Sequence, residues 1–180
     1  MTENKINNEA VKSYFTKLQT DIINAVEIVD GKNFLVDSWQ RAEGGGGTTC
    51  ILENGNIFER AGIGFSHVVG SQLPKSATDA HPEITDSNWE ATGVSLVFHP
   101  KNPYIPTVHM NVRFFVAKKN NKNVWWFGGG MDLTPYYGFD EDAIHFHKTI
   151  QTALNPFGED LYPEFKKNCD KYFFLNHRNE

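Results

Sequence analysis

Polar side chains at alternate positions of one segment are the feature of this sequence best suited to chemistry. In the run Val108–Val116, His109, Asn111 and Arg113 alternate with apolar residues. Successive side chains of a β-strand point to opposite faces, so these three polar residues would share one face. An imidazole can transfer a proton near neutral pH, and a guanidinium can pair with a carboxylate through two hydrogen bonds. The pattern predicts a binding face for a ligand that carries carboxylates.

Two further segments are expected to contribute to this face. The run Val94–His99 alternates in the same way and places Ser95 and His99 on one side of a strand. Gly128–Gly130 is followed closely by Asp132, so we expect a bare backbone loop that delivers this carboxylate. Asp132 could accept hydrogen bonds from ligand N–H groups or hold a proton during a reaction. The grouping indicates a ligand with both carboxylates and N–H donors.

Each of these residues also has a purely structural alternative. Arg113 could form an internal salt bridge with an acidic residue, and Asp132 could cap the turn at Thr134. His99 and His109 fall on adjacent predicted strands and could form a metal site or supply a general acid. A histidine in a strand is more often structural, so spacing alone leaves both alternatives open.

Three histidines near the end of the chain were considered as metal ligands. His145 and His147 are two residues apart in a predicted helix, which separates them by about 200° around the axis. They cannot jointly bind one ion, and His147 is expected to face inward because it shares a side with Ile150. His177 lies beyond the last predicted helix.

The glycine run Gly44–Gly47, next to Arg41, could wrap anionic groups with its backbone N–H groups. It matches neither a P-loop nor a dinucleotide-binding fingerprint, so the sequence disfavours nucleotide binding.

Composition limits the class of protein. The 180 residues are 39% hydrophobic and 13% aromatic, with a net charge of -5 and no basic run. Nucleic acids are therefore not expected as partners. No apolar stretch approaches the length of a membrane span, and Cys50 and Cys169 are isolated from each other. We expect a cytoplasmic protein with reduced thiols and no membrane span.

Hydrophobic periodicity predicts an α+β fold, with a large, mainly antiparallel β-sheet flanked by α-helices. Helices are predicted at 8–29, 140–154 and from about 158, with Pro163 early in the last one. Strands are predicted at 34–40, 48–52, 57–60, 62–69, 90–99, 108–118 and 123–128, and a loop at 70–88. The absence of a repeat or linker predicts a single domain over residues 1–180.

The apolar run Tyr172–Leu175 lies close to the end of the sequence. Such a segment needs a partner, so we expect the chain to be truncated at its C-terminus.

Taken together, these segments resemble the oxygen-dependent coproporphyrinogen III oxidases over nearly the whole chain. The segments that carry the resemblance are Asp37–Arg41 with the glycine run, Phe65–Val68, Gly93–Val97, His99–Tyr104, Asn111–Phe115, Trp125–Gly130, Asp132–Pro135, Pro156–Asp160 and His177–Glu180.

The resemblance implies a homodimer with a large antiparallel sheet flanked by helices. It implies conversion of coproporphyrinogen III to protoporphyrinogen IX in haem biosynthesis, by oxidative decarboxylation of two propionates to vinyl groups. Dioxygen is the oxidant, and no organic cofactor is used. The family continues beyond Glu180 into further substrate contacts and the dimerisation region, so we expect weak or absent activity from these 180 residues alone.

The resemblance also implies roles for individual residues. Those matching substrate contacts are Ser95, Asn111, Val112 and Arg113. His109 matches the proton donor, and Asp132 matches an aspartate that holds the pyrrole N–H groups. The histidines that match ligands of a divalent metal, such as manganese, in bacterial members are His99, His109, His147 and His177.

Two other functions stay open at this point. One is an inactive tetrapyrrole-binding fragment, which oxygen consumption with bound substrate would distinguish from the enzyme. The other is a metal-dependent oxygenase built on the histidines, which complete chelation without loss of activity would exclude.

Overall fold

A sheet of six antiparallel strands lies at the centre of the fold, in the order β1-β2-β3-β4-β5-β6. The computed structural model describes residues 6–179 except 72, 74–83, 86, 120 and 121. The elements are α1 Asn8–Asp30, β1 Leu35–Gln40, β2 Gly45–Glu53, β3 Phe58–Gly70, β4 Asn88–Pro100, β5 Thr107–Lys119, β6 Lys122–Thr134, α2 Asp140–Leu154, the 3₁₀ turn Asn155–Phe157 and α3 Leu161–Phe173. The predicted α+β class with an antiparallel sheet is confirmed.

The chain divides into two compact units, Met1–Thr134 and Pro135–Glu180. The first contains α1 and the whole sheet, and the second contains α2 and α3. The single domain over residues 1–180 stays a prediction. None of the described helices has the length and apolar character needed to cross a membrane.

Helix α1 packs on one face of the sheet and forms the core with it. The helix contributes Phe15 and Val26, and the strands contribute alternate residues such as Val94, Phe114 and Val116. Each of these side chains is at most 8% exposed. The polar residues of β4 and β5 alternate with these core residues, so the same pattern that builds the core places them on the opposite face.

The ends of α1 are set by local interactions. The side chain of Asn7 accepts a hydrogen bond from the backbone N–H of Ala10 at 3.1 Å, which begins the helix. Gly31 ends it in the left-handed conformation, with φ of 77°, and donates its N–H to the carbonyl of Glu27.

Both cysteines are free. Burial, together with the charge of Glu27, raises the pKa of the Cys50 thiol, which therefore stays protonated in the core.

Two strand predictions are wrong. Residues 57–60 and 62–69 form one strand, β3, because its backbone pairs continuously with β2 past Gly62. Gly128–Gly130 and Asp132 do not form a loop but lie inside β6, where each pairs with a residue of β5. Glycine in a strand interior is unfavourable but tolerated where a neighbour supplies the backbone hydrogen bonds. Most of the predicted loop at 70–88 lies outside the described residues, although Asn88 begins β4.

In the second unit, α2 matches its predicted bounds and α3 begins at Leu161 with Pro163 in its first turn. Asp140, Glu141 and Asp142 occupy the first turn of α2, where the helix dipole favours negative charge.

Candidate functional site

The face of the sheet opposite α1, which we call the polar face, brings the predicted residues of β4, β5 and β6 together. In the pairing register, Ser95 lies opposite Asn111, and His109 lies opposite Asp132. Directly opposed residues of antiparallel strands point to the same face. The polar face therefore holds Ser95, His99, His109, Asn111, Arg113 and Asp132.

The closest polar contact on this face joins His109 and Asp132. The His109 Nδ1 atom lies 2.7 Å from Asp132 Oδ1, and the two side chains are 44% and 43% exposed. Because the carboxylate can only accept, Nδ1 carries the proton and Nε2 is left for exchange with a ligand. Asp132 thus holds the imidazole of His109 in a defined orientation at an accessible surface.

Thr134 makes a second hydrogen bond to the same carboxylate oxygen. Its hydroxyl donates to Asp132 Oδ1 at 3.0 Å. No described residue donates a hydrogen bond to Asp132 Oδ2, so that oxygen can accept an N–H group from a ligand. The turn-capping alternative for Asp132 does not hold, since the residue lies within β6.

Arg113 is exposed and extends across the neighbouring strand β6. Its Nε lies 3.2 Å from the point where a side chain on Gly128 would begin. Among the described residues, no carboxylate pairs with Arg113, so the internal salt bridge is excluded for that part of the chain. Within the part of the chain that the structure describes, its guanidinium is therefore available to bind a ligand carboxylate through two hydrogen bonds.

Asn111 lies between Ser95 on β4 and Gly130 on β6. Its side-chain carbonyl oxygen is buried and has no hydrogen-bond partner among the described residues. A buried acceptor without a donor is costly, and nothing in the described part of the fold compensates this oxygen.

Val112 differs from its neighbours Asn111 and Arg113. Its side chain lies on the opposite face and packs against the core under α1. Any contact between Val112 and a ligand on the polar face would therefore come from its backbone.

His99 borders the pair from β4. Its ring stands edge-on to His109 with 6.2 Å between ring centroids, and its Nδ1 lies 3.3 Å from the hydroxyl of Thr107. The expectation that His99 and His109 face each other on adjacent strands is confirmed.

A metal site is not assembled from these histidines within either unit. His99 and His109 belong to the first unit, whereas His147 and His177 belong to the second. Across the described residues, no three His, Cys, Asp or Glu side chains are grouped so that they could hold one ion. In the second unit, the ring of His147 packs edge-on to Tyr162 at 6.3 Å, while His177 is exposed. The four-histidine metal set stays a prediction.

Two groups of residues on the polar face were not predicted. Thr107 and Thr134 bind His99 and Asp132, and each lies two positions along the strand from a predicted residue, which could have identified them. The rings of Phe115 and Trp126 stack at 4.5 Å beyond Arg113, and Trp89 stacks on Phe115 at 5.7 Å. These rings form an apolar border at the other end of the polar face.

The glycine run before β2 does not form the predicted anion-binding loop. Gly45–Gly47 belong to β2, and Arg41 is paired with Glu43 at 3.6 Å. Arg41 also lines a cavity of about 660 Å³ with Trp89, Glu90 and Lys118. Burial would raise the pKa of Glu90, but hydrogen bonds with Lys118 and His67 hold that pKa below its usual range. Arg41 beside the glycine run is paired with Glu43, and Lys118 in the cavity is paired with Glu90, so neither is an unpaired cation for an anionic ligand.

Comparison with known families identifies the family to which the chain belongs. The sequence profile of the coproporphyrinogen III oxidase family matches residues 10–180. The match includes α1 from its third residue, the entire sheet and both later helices, and hence every residue predicted for the site. The chain therefore belongs to the coproporphyrinogen III oxidase family, whose members are oxidoreductases of porphyrin biosynthesis.

Proposed function

We propose that this protein is an oxygen-dependent coproporphyrinogen oxidase. It converts two propionate side chains of coproporphyrinogen III into vinyl groups and forms protoporphyrinogen IX. At each propionate, the bond to the carboxylate carbon breaks and releases CO₂, and one hydrogen leaves the neighbouring side-chain carbon. The two electrons pass to O₂, which takes up this hydrogen and one proton to become hydrogen peroxide.

The observation that carries the proposal is the His109–Asp132 pair beside the unpaired Arg113 on one accessible face. A reduced tetrapyrrole has propionates at its edge and pyrrole N–H groups inside. The site offers a partner for each, since Arg113 matches a propionate and Asp132 Oδ2 matches a pyrrole N–H.

Asp132 would act on the ring. A pyrrole N–H that donates to a carboxylate becomes more electron-rich, which favours electron transfer from the ring to O₂. His109 would act on protons. With Nδ1 fixed by Asp132, the Nε2 atom is the nitrogen that can deliver the proton consumed in each decarboxylation.

Arg113 would set the position of the reacting side chain. A guanidinium binds a carboxylate within its own plane through two N–H groups, which fixes the direction of the propionate carbons. The neighbouring Ser95, on β4 opposite Asn111, offers a hydroxyl on the same face. A divalent metal held by His99, His109, His147 and His177 remains part of the proposal, and no step of the reaction is assigned to it. A homodimer and a cytoplasmic location remain part of the proposal.

The test replaces Asp132 with Asn in the full-length enzyme. This change keeps the shape of the side chain but removes the charge that would accept the pyrrole N–H and orient His109. Binding is measured by anaerobic titration with coproporphyrinogen III, and turnover by vinyl product and O₂ uptake after oxygen is admitted. We expect turnover to fall by about 10²- to 10⁴-fold in Asp132→Asn.

Asp21→Asn serves as the matched control, since Asp21 is an exposed carboxylate on α1 that pairs with Lys17 of the same helix. It should bind and turn over like the wild type. Normal turnover by Asp132→Asn would remove Asp132 from the mechanism. Failure of the wild type to bind coproporphyrinogen III would contradict the proposed function itself.

A further inference from the structure

The side chain of Arg113 lies over the backbone of the neighbouring strand β6. The register places Arg113 between Gly93 on β4 and Gly128 on β6. On the β4 side, the atoms nearest to a methyl group built on Gly93 are the carbonyl oxygen of Val112 and the Cβ and Cα atoms of Arg113. On the β6 side, a methyl group on Gly128 would meet Nε, Cγ and Nη2 of Arg113, at 3.2, 3.7 and 3.7 Å. The guanidinium end of the side chain therefore rests on Gly128.

A side chain at position 128 would crowd Arg113 before it crowded the backbone. The three atoms nearest to a methyl group on Gly128 all belong to the side chain of Arg113. At Gly93 and Gly129, by contrast, a methyl group would lie 2.8 and 2.5 Å from a backbone carbonyl oxygen of β5. Gly128 also lacks the positive φ that would require glycine. The contact with Arg113 is therefore what distinguishes Gly128 from these two glycines.

Arg113 is also confined in the direction of the strands. Phe115 lies two residues after Arg113 on β5, and Trp126 lies two residues before Gly128 on β6, so both side chains are on the polar face. Their rings stack at 4.5 Å. The side chain of Arg113 thus has the backbone at Gly128 beneath it and two aromatic rings on one side, which limits the rotamers open to it.

We propose that Gly128 is a positioning residue for Arg113. The absence of a side chain at position 128 lets the guanidinium lie against β6, in the orientation in which it binds a propionate of the substrate. This inference rests on the proposed function and names a residue that acts on the substrate only through Arg113.

The physical reason is the conformational freedom of arginine. An arginine that binds a carboxylate through two N–H groups loses rotamer freedom, and a side chain that is already confined loses less of it. A methyl group 3.2 Å from Nε is closer than an ordinary van der Waals contact, so the side chain would have to move. Because Nε and Nη2 both carry N–H groups, the donors themselves would be displaced.

The experiment compares Gly128→Ala and Gly128→Val with the wild type, each in the full-length enzyme. Without substrate, ¹⁵N relaxation of the Arg113 Nε–H group measures the order of this side chain, and Arg113→Lys identifies the signal by its loss. Binding of coproporphyrinogen III is measured by anaerobic calorimetry, and the melting temperature is recorded for each protein.

We expect the order parameter of the Arg113 Nε–H group to fall below about 0.6 in Gly128→Ala. Binding should weaken about 3- to 10-fold, because the guanidinium must then be ordered by the substrate. The valine variant should show larger changes in both properties. Both variants should melt at or above the wild-type temperature, since alanine and valine are better strand residues than glycine.

Three other glycines provide controls. Gly130 lies two residues further along the same face of β6, and a methyl group there would meet no described atom within 4 Å, so Gly130→Ala should leave the order of Arg113 unchanged. Gly138 lies outside the sheet in open space, and Gly138→Ala should change neither order nor binding. Gly93→Ala should lower the melting temperature, which verifies that crowding of the backbone is detected.

If Arg113 is equally ordered in the wild type and Gly128→Ala, the inference is wrong even where binding weakens, because the methyl group would then act on the substrate directly. Unchanged binding despite a mobile Arg113 would also overturn it, and so would a fall in melting temperature that matches the loss of binding. In each case the proposed function stands. Failure of the wild type to bind coproporphyrinogen III would contradict the proposed function, and the order measured without substrate would still decide whether Gly128 positions Arg113.

Discussion

Thr134 illustrates how one residue can act through another. Its hydroxyl donates to the same oxygen of Asp132 that accepts from His109. The two donors fix the orientation of the carboxylate through Oδ1. Thr134 is therefore a positioning residue for the proposed reaction.

We expect Thr134→Val to lower kcat about 3- to 10-fold, the value of one ordinary hydrogen bond, with little change in KM. Thr134→Ser keeps the hydroxyl and should restore kcat. Steady-state kinetics of the three proteins measures both parameters. An equal loss in the serine variant would show that the methyl group, not the hydrogen bond, matters.

At the level of single residues, the sequence predicted most of the polar face. It did not predict correctly where Asp132 lies. Alternation alone placed His109, Asn111 and Arg113 on one side of a strand. It misplaced Asp132 in a loop, because three consecutive glycines have no side chains from which to detect alternation. Whether Asp132 would meet His109 depends on the pairing register of β5 with β6, which no local pattern determines.

At the scale of elements, a buried carboxylate connects α1 to the β2–β3 hairpin. Asp30, at the end of α1, is 2% exposed and accepts the backbone N–H groups of Asn56, Ile57 and Phe58, each at 2.9 Å. The residue that precedes these three, Gly55, has no room for a side chain beside this carboxylate. The position of the helix on the sheet is thereby fixed at one end.

Asp30→Asn should lower the free energy of unfolding by about 2–4 kcal/mol at pH 7, since an amide group would face backbone donors. Burial would raise the pKa of Asp30, but the three backbone N–H groups hold it below its ordinary value of 3.8. As pH falls below about 4, the unfolded chain takes up the proton first, so this stabilisation is progressively lost. Urea unfolding of the wild type and Asp30→Asn at pH 7 and pH 3 measures the loss of stability and its dependence on pH.

The difference between wild type and Asp30→Asn should therefore be large at pH 7 and smaller at pH 3. Asp21→Asn, on the exposed side of α1, should change stability by no more than about 0.5 kcal/mol. A difference that is independent of pH would show that shape, not charge, makes Asp30 necessary.

The sequence located the elements of this connection but not the connection itself. The strands predicted at 48–52 and 57–60 lie on either side of the β2–β3 turn, and the helix predicted at 8–29 ends within one residue of the observed end of α1 at Asp30. Their contact joins residues more than 20 positions apart. Such a contact depends on how α1 packs on the sheet. Hydrophobic periodicity predicts only that one face of the helix is buried.

At the scale of the whole molecule, burial is unevenly distributed. Among the described residues, every buried side chain lies between Phe15 and Ala117, within the first unit. In the second unit, no described residue reaches that degree of burial. The sequence did not reveal this asymmetry, because the amphipathic patterns of α1, α2 and α3 are similar and do not say how completely a partner covers each face.

This distribution predicts that the two units differ in intrinsic stability. A protein of residues 1–134 retains α1, all six strands and the entire buried core, so it should unfold in one cooperative transition close to that of the whole chain. A peptide of residues 135–180 lacks a buried core and is short for independent folding, so it should show little helix by circular dichroism. Circular dichroism melting of the three proteins tests both statements. Loss of cooperative unfolding in residues 1–134 would mean that the sheet depends on residues 135–180 for its stability, and the polar face would then have to be studied only in the longer chain.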